Sequence, residues 1–250
     1  MASKFFKNRI ETQAVDFRNK NGLSVHEAVN LESLLLYLNV ITVFRPLNNI
    51  SGMALKLSTD ESIKRFMLIN SQQSLGRQNF TICHELYHLF IQQSFNYQIC
   101  QTGIFDSKKD IEEYKADIFA SYFLMPESGI FNLIPDIELD NNTISLSTIL
   151  KIEHYFGCSR AALLIRLKDL GLLSEDRVNE FRQNIKLNAY QHGYENSLYE
   201  PTKESHIIGD YGDKVKKLYD NDIISESHYA TFMEDIGKNI YQDFKTENEI

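Results

Sequence analysis

Cysteine is scarce in this sequence. Its 250 residues hold three, Cys83, Cys100 and Cys158, far apart and in no CxxC pair. An odd, scattered set does not build a disulfide framework, and it points to a reducing, cytoplasmic setting. Long apolar runs are missing as well. The longest apolar-looking stretch, LLLYLNVITVF at residues 34–44, is interrupted by Asn39 and Thr42 and is far shorter than the roughly 20 residues of a membrane span. The opening MASKFFKNRIETQAVDF alternates charge with aromatic residues and lacks the apolar segment of a secretory signal. Basic charge is not in surplus either. A net charge of −8 and a pI near 5.4 argue against broad nucleic-acid binding, while leaving room for a local basic patch. There is no internal repeat and no low-complexity tract.

What the chain does have is the composition of a folded protein, 43% hydrophobic and 24% charged, with length enough for a proper core. Residues 4–20 read as a helix with Phe5, Phe6, Ile10, Ala14 and Phe17 on one side and Gly22 as its stop. Asn30 suits the N-cap of a second helix, LESLLLYL. VITVF, GMALKLS and KRFMLIN are β-prone and punctuated by Gly, Asn, Ser and Asp, which predicts a small antiparallel sheet. Helices are then expected over 77–93 and 110–125, the second closed by Pro126. Beyond about residue 140 the pattern is helical. ISLSTILKIEHYFG and SRAALLIRLKDLG have the outline of a helix-turn-helix, with Gly157 in the turn and Ser159 as N-cap. Residues 194–250 carry 13 acidic and 6 basic residues, and six tyrosines set them apart from plain disorder. The expected class is α+β, divided as residues 1–140, a helix-turn-helix-like segment 141–190 and an acidic helical tail 191–250.

The chemistry lies in FTICHELYHLF, residues 80–90. HExxH places His84 and His88 at i and i+4 of a helix, about 40° apart around the axis and roughly 6 Å along it. Two imidazoles so spaced can reach one ion at about 2.0–2.1 Å. Glu85 projects beside them, placed to take a proton from water at such an ion. Chance would produce the pattern in about one or two per cent of shuffled chains. Its surroundings sharpen it: Phe80, Ile82, Cys83, Leu86, Leu89 and Phe90 make the helix apolar nearly all round, and a buried Glu with two His is costly unless a cation pairs them.

A third ligand has to come from elsewhere, because Ile91 and Ser94 stand where HExxHxxGxxH needs Gly and His. In DIEEYKADIFASYFLMP, Glu113, Ala116, Asp117 and Ala120 share one helical face. The alanines permit close approach, Glu113 would complete a His–His–Glu set, and Asp117 one turn on could hydrogen-bond a ligand imidazole. Two alternatives stand beside this. Asp110 and Glu113 also fit a capping box, and Glu112 offers a second carboxylate, on the face of Lys115 and Phe119.

These stretches resemble the ImmA/IrrE family of metallopeptidases. The matching features are Arg77, Phe80–Thr81, His84–His88, the Glu113–Ala120 segment and Met125–Pro126, with INSQQSLGRQ upstream and LSTILKIEHYFGCSRAALLIRL downstream. The likeness covers roughly residues 40–170. It implies a zincin-like fold and a gluzincin-type Zn2+ site with His84, His88 and Glu113 as ligands and Glu85 as general base. It also implies a hydrolase that cuts a specific helix-turn-helix repressor, often encoded beside it on a mobile element or phage. Tyr87 departs from the family's usual Gly, and packing is its expected role. The sequence singles out no oxyanion donor; Tyr87, Tyr114 and Tyr122 are candidates only, of a kind that more often packs in a core. The alternative function is a zinc-stabilised, non-proteolytic regulatory or toxin/antitoxin-type module. Direct DNA binding through Lys151, Arg160, Arg166 and Lys168 ranks below both, since the apolar periodicity there is that of a packed helix pair. His26, His154, His192, His206 and His228 make no ligand spacing, and Cys83 points about 100° from His84.

Overall fold

The computed structural model describes residues 4–58, 62–93, 97–100, 111–202 and 205–241. Helix α1 (Lys4–Lys20) ends at Gly22, whose φ of 68° is the left-handed conformation that stops a helix. Ile10, Ala14 and Phe17 face the core, but Phe5 is exposed, correcting its assignment to that face. Phe6, Ile10 and Ala14 follow the i+4 rule, whereas Phe5 stands five residues from Ile10 and so about 140° away from it. Helix α2 (Leu31–Tyr37) starts at Asn30, whose side chain accepts from the Ser33 amide at 2.9 Å.

Three strands follow: β1 (Val40–Arg45), β2 (Gly52–Ser58) and β3 (Ile63–Asn70). The sheet they begin is mixed rather than wholly antiparallel. β2 and β3 form the antiparallel pair, and β3 then lies between β2 and β1, running parallel to β1. The direction follows from the path: the chain reverses at each turn, so the first and third strands point the same way once they become neighbours. β4 (Tyr97–Cys100) pairs with β2, giving the order β4-β2-β3-β1-β5, where β5 is His206–Ile208 from far along the chain.

Helix α3 (Leu75–Phe90) lies against this sheet, and α4 (Ile111–Leu124) packs on α3. Asp110, the proposed cap of α4, is outside the described residues. Ala116 and Ala120 are fully buried between the two helices. Phe17, Phe119 and Phe123 close the core with ring centroids 5.6–6.0 Å apart. Arg18 ties α1 to the end of α4: its Nε donates to the Phe123 carbonyl at 2.8 Å, and burial pulls its pKa down to about 10.

The rest of the described chain is helical apart from β5: α5 (Glu127–Leu133), α6 (Asp136–Asp140), α7 (Leu146–Phe156), α8 (Arg160–Asp169), α9 (Glu175–Phe181), α10 (Ile185–Gln191), a 3-10 turn at Asn196–Tyr199, α11 (Tyr211–Asp220) and α12 (Glu226–Glu234). α7 and α8 meet as the sequence indicates, with Gly157 left-handed at φ 61° and the Ser159 side chain accepting from the Ala162 amide. The acidic tail, read as helical, also supplies β5 to the sheet edge. Residues just before β5 dock on the start of α3. The Leu75 amide donates to the Glu200 carbonyl at 2.8 Å, and Ser74 forms a bridge with Pro201. Among the described residues no helix is long and apolar enough to cross a membrane.

Candidate metal centre

α3 is buried nearly throughout, as its all-round apolar composition requires. His84, Glu85 and His88 have no solvent exposure at all. The i,i+4 spacing brings the two Nε2 atoms to 3.1 Å of each other. α4 supplies the third group. Glu113 reaches across the alanine seam and sets one carboxylate oxygen 3.3 Å from His84 Nε2 and the other 3.1 Å from His88 Nε2. Ligand atoms of the three residues all lie within 4.8 Å of one another.

The outer nitrogens are held as well. His84 Nδ1 is 2.9 Å from Asp117 Oδ1, and His88 Nδ1 is 2.5 Å from Gln92 Oε1. A carboxylate and an amide carbonyl can only accept, so both Nδ1 atoms carry the hydrogen and both Nε2 lone pairs point inward. Two imine nitrogens and a carboxylate facing each other repel unless a proton or a cation lies among them. The donor set therefore fits a divalent metal, with nitrogen and oxygen ligands of the kind zinc takes.

Without a metal, protons carry that load. Burial would push His84 down, but its hydrogen bonds to Asp117 and Glu113 outweigh this and raise its pKa to about 10. Burial likewise opposes ionisation of Glu113, yet the two imidazoles hold it well below the usual carboxylate range.

The structure thus brings together His84, His88, Glu113 and Asp117, with Glu85 beside them on the helix. It sends Glu112 elsewhere: Tyr87 donates its phenolic hydrogen to Glu112 at 2.8 Å, and Lys115 pairs with the same carboxylate at 2.5 Å. Tyr87 packs its ring 5.7 Å from Phe119, and burial followed by the Glu112 bond raises its pKa. The Tyr87 ring also stands edge-on to His88 at 5.6 Å, whereas Tyr114 stacks on Phe6 and Tyr122 lies 4.1 Å under the Arg166 guanidinium. Gln92 was not anticipated, although its i+4 position from His88 was a usable signal. Cys83 is buried packing, its thiol pushed up to about 12 by desolvation.

The two arginines of the helix pair are spent inside the fold, whereas Lys151 and Lys168 lie exposed. Arg160 forms a fully buried pair with Glu153, which also accepts from the Tyr199 hydroxyl. Arg166 is buried against Tyr122 and reaches Glu11 at 3.2 Å, and Lys168 pairs with Glu175.

A model of the Peptidase_M78 family, described as the IrrE N-terminal-like domain, matches residues 36–168, more than half of the chain. The chain belongs to this family. Peptidase_M78 membership supports a metallopeptidase-type function, and the matched span runs from β1 through all but the last residue of α8, with every residue of the donor set. No curated protein matches the chain.

Proposed function

We propose that this Peptidase_M78 member is a zinc-dependent endopeptidase that cleaves a specific protein, a helix-turn-helix repressor, and so derepresses genes. One observation carries the catalytic part: three inward-facing donors from two helices converge beside a buried glutamate. His84, His88 and Glu113 would hold the ion, and Asp117 and Gln92 keep both rings in the ligating tautomer. Bound there, zinc would supply Lewis acidity toward a scissile carbonyl and make water more acidic. Glu85 would take the proton from the attacking water and pass it to the leaving amine nitrogen. The repressor as substrate rests on the family resemblance in the sequence.

The test is co-expression with a neighbouring helix-turn-helix repressor, comparing wild type with Glu85→Gln. Wild type should fragment the repressor. The variant should keep its zinc and leave the repressor intact. Cleavage retained by Glu85→Gln removes that residue as the proton carrier. The zero exposure of Glu85 favours a second reading, a zinc-stabilised regulatory module that binds without cutting. Full zinc occupancy with no cleavage by wild type would establish it.

A further inference from the structure

Gly52 opens β2 in a buried position, paired with Ile69 on one side and Cys100 on the other. It faces α3. A Cβ placed on it would stand 2.6 Å from Thr81 Cγ2, 2.8 Å from Glu85 Oε1 and 3.1 Å from the Leu68 carbonyl oxygen. Carbon atoms do not approach that closely, so no side chain fits. Backbone freedom is not the reason, since Gly52 is not among the residues with positive φ and alanine could adopt its conformation. The constraint is space alone. Ala54, next on the same face, is also fully buried, and together the two small residues let the strand lie close to the helix.

Two of the three neighbours cannot yield easily. The Leu68 oxygen is backbone of the adjoining strand. Thr81 is held by its hydroxyl, which donates to the Arg77 carbonyl at 3.0 Å and so aims the methyl at Gly52. The group left to move is the Glu85 carboxylate.

We infer that Gly52 is a positioning residue for Glu85, the missing side chain being the space in which the carboxylate is seated. The catalytic consequence rests on the peptidase reading above; the steric claim stands apart from it. Any side chain at residue 52 takes the space in which the carboxylate is seated.

The deciding experiment is a double-mutant cycle in urea on the full chain carrying Thr81→Ser, which removes the Cγ2 methyl that would otherwise clash with residue 52 whether or not Glu85 is present. Gly52→Ala should weaken the folding equilibrium constant about tenfold or more. In a Glu85→Ala background that loss should shrink to less than half on the logarithmic scale, because the displaced group is gone. Gly76→Ala is the control: its Cβ would meet Cys158 and Ser159 backbone at 2.8–3.0 Å, and its cost should be the same with or without Glu85. Strictly additive costs for Gly52→Ala and Glu85→Ala overturn the inference. If Gly52→Ala alone does not fold, recovery in the double variant supports the inference and continued unfolding overturns it. On the repressor fragmented in co-expression, Gly52→Ala should lower kcat at least tenfold with KM and zinc content within twofold of wild type, and adding Thr81→Ser should restore part of kcat. Wild-type kcat in Gly52→Ala also overturns it. If wild type cleaves nothing, the peptidase reading fails, and the cycle still decides whether Gly52 seats the carboxylate.

Discussion

Replacing Asp117 by Asn removes a charge from the metal centre and almost nothing else. The carboxylate oxygen sits 2.9 Å from His84 Nδ1, and both side chains are buried, so solvent does not screen the contact. Asn keeps an oxygen acceptor in the same place. What is lost is the charge assistance, the difference between a bond to an ion at about 1.5–3 kcal/mol and a neutral one at about 0.5–1.5 kcal/mol. That difference of about 1.2 kcal/mol between midpoints corresponds to a zinc affinity weaker by about eightfold. Asp117→Ala goes further. It leaves the Nδ1 hydrogen buried without that acceptor and frees the ring to turn, and the loss should approach about a hundredfold. Competition against a zinc chelator at neutral pH measures both, and melting with and without chelator shows whether the apo proteins still fold. The expected order is wild type, then Asn, then Ala. Two folded variants whose zinc affinity stays within twofold of wild type would refute the claim that Asp117 tunes the ligand.

Four further outcomes follow from the same geometry. Zinc uptake should release a proton, because the metal-free His84 ring, raised to about 10, is charged at neutral pH and must lose that charge to ligate. Apparent affinity should therefore climb about tenfold per pH unit between pH 6 and 8, and a flat profile would count against it. In the metal-free protein the raised pKa has the opposite sign: its stabilisation is complete below the ordinary histidine value and fades as pH rises toward about 10, readable by urea unfolding across that range. Arg160→Met strands a fully buried Glu153 and should cost about 3–5 kcal/mol in the same assay. Tyr87→Phe deletes only the hydrogen bond to Glu112, so it should cost about 1 kcal/mol and leave zinc content unchanged.

Local signals carried most of the structure. Gly22, Asn30, Gly157, Ser159 and Pro126 mark element ends by backbone or capping chemistry confined to a few neighbours, and the helices stop or start there. HExxH and the Glu113–Asp117 face were legible because helical spacing alone aligns such groups. Whether Glu113 caps its own helix or crosses to another is a tertiary matter. The fully buried Ala116 and Ala120 are the means by which it crosses. The parallel pairing of β1 with β3 was hidden because strand patterning reports faces, not neighbours. Gly52 was hidden for a similar reason: nothing in GMALKLS says that a carboxylate from another element needs the room. The burial of Arg160 and Arg166 could not be read either, since their partners Glu153 and Glu11 become partners only through packing.

The strap before β5 bears on how the protein comes off the ribosome. β1 is complete early, yet the edge it shares with β5 is filled only by residues 206–208, some 160 positions later. The Leu75 amide at the head of the metal helix waits similarly for the Glu200 carbonyl. At about 5–20 residues per second, that leaves an interval of roughly 10–30 s in which one sheet edge lacks its final partner strand. The matched family segment ends at residue 168, so the chain that relieves this exposure lies beyond it. The acidic tail thus completes both the sheet edge and the hydrogen bonding at the head of α3.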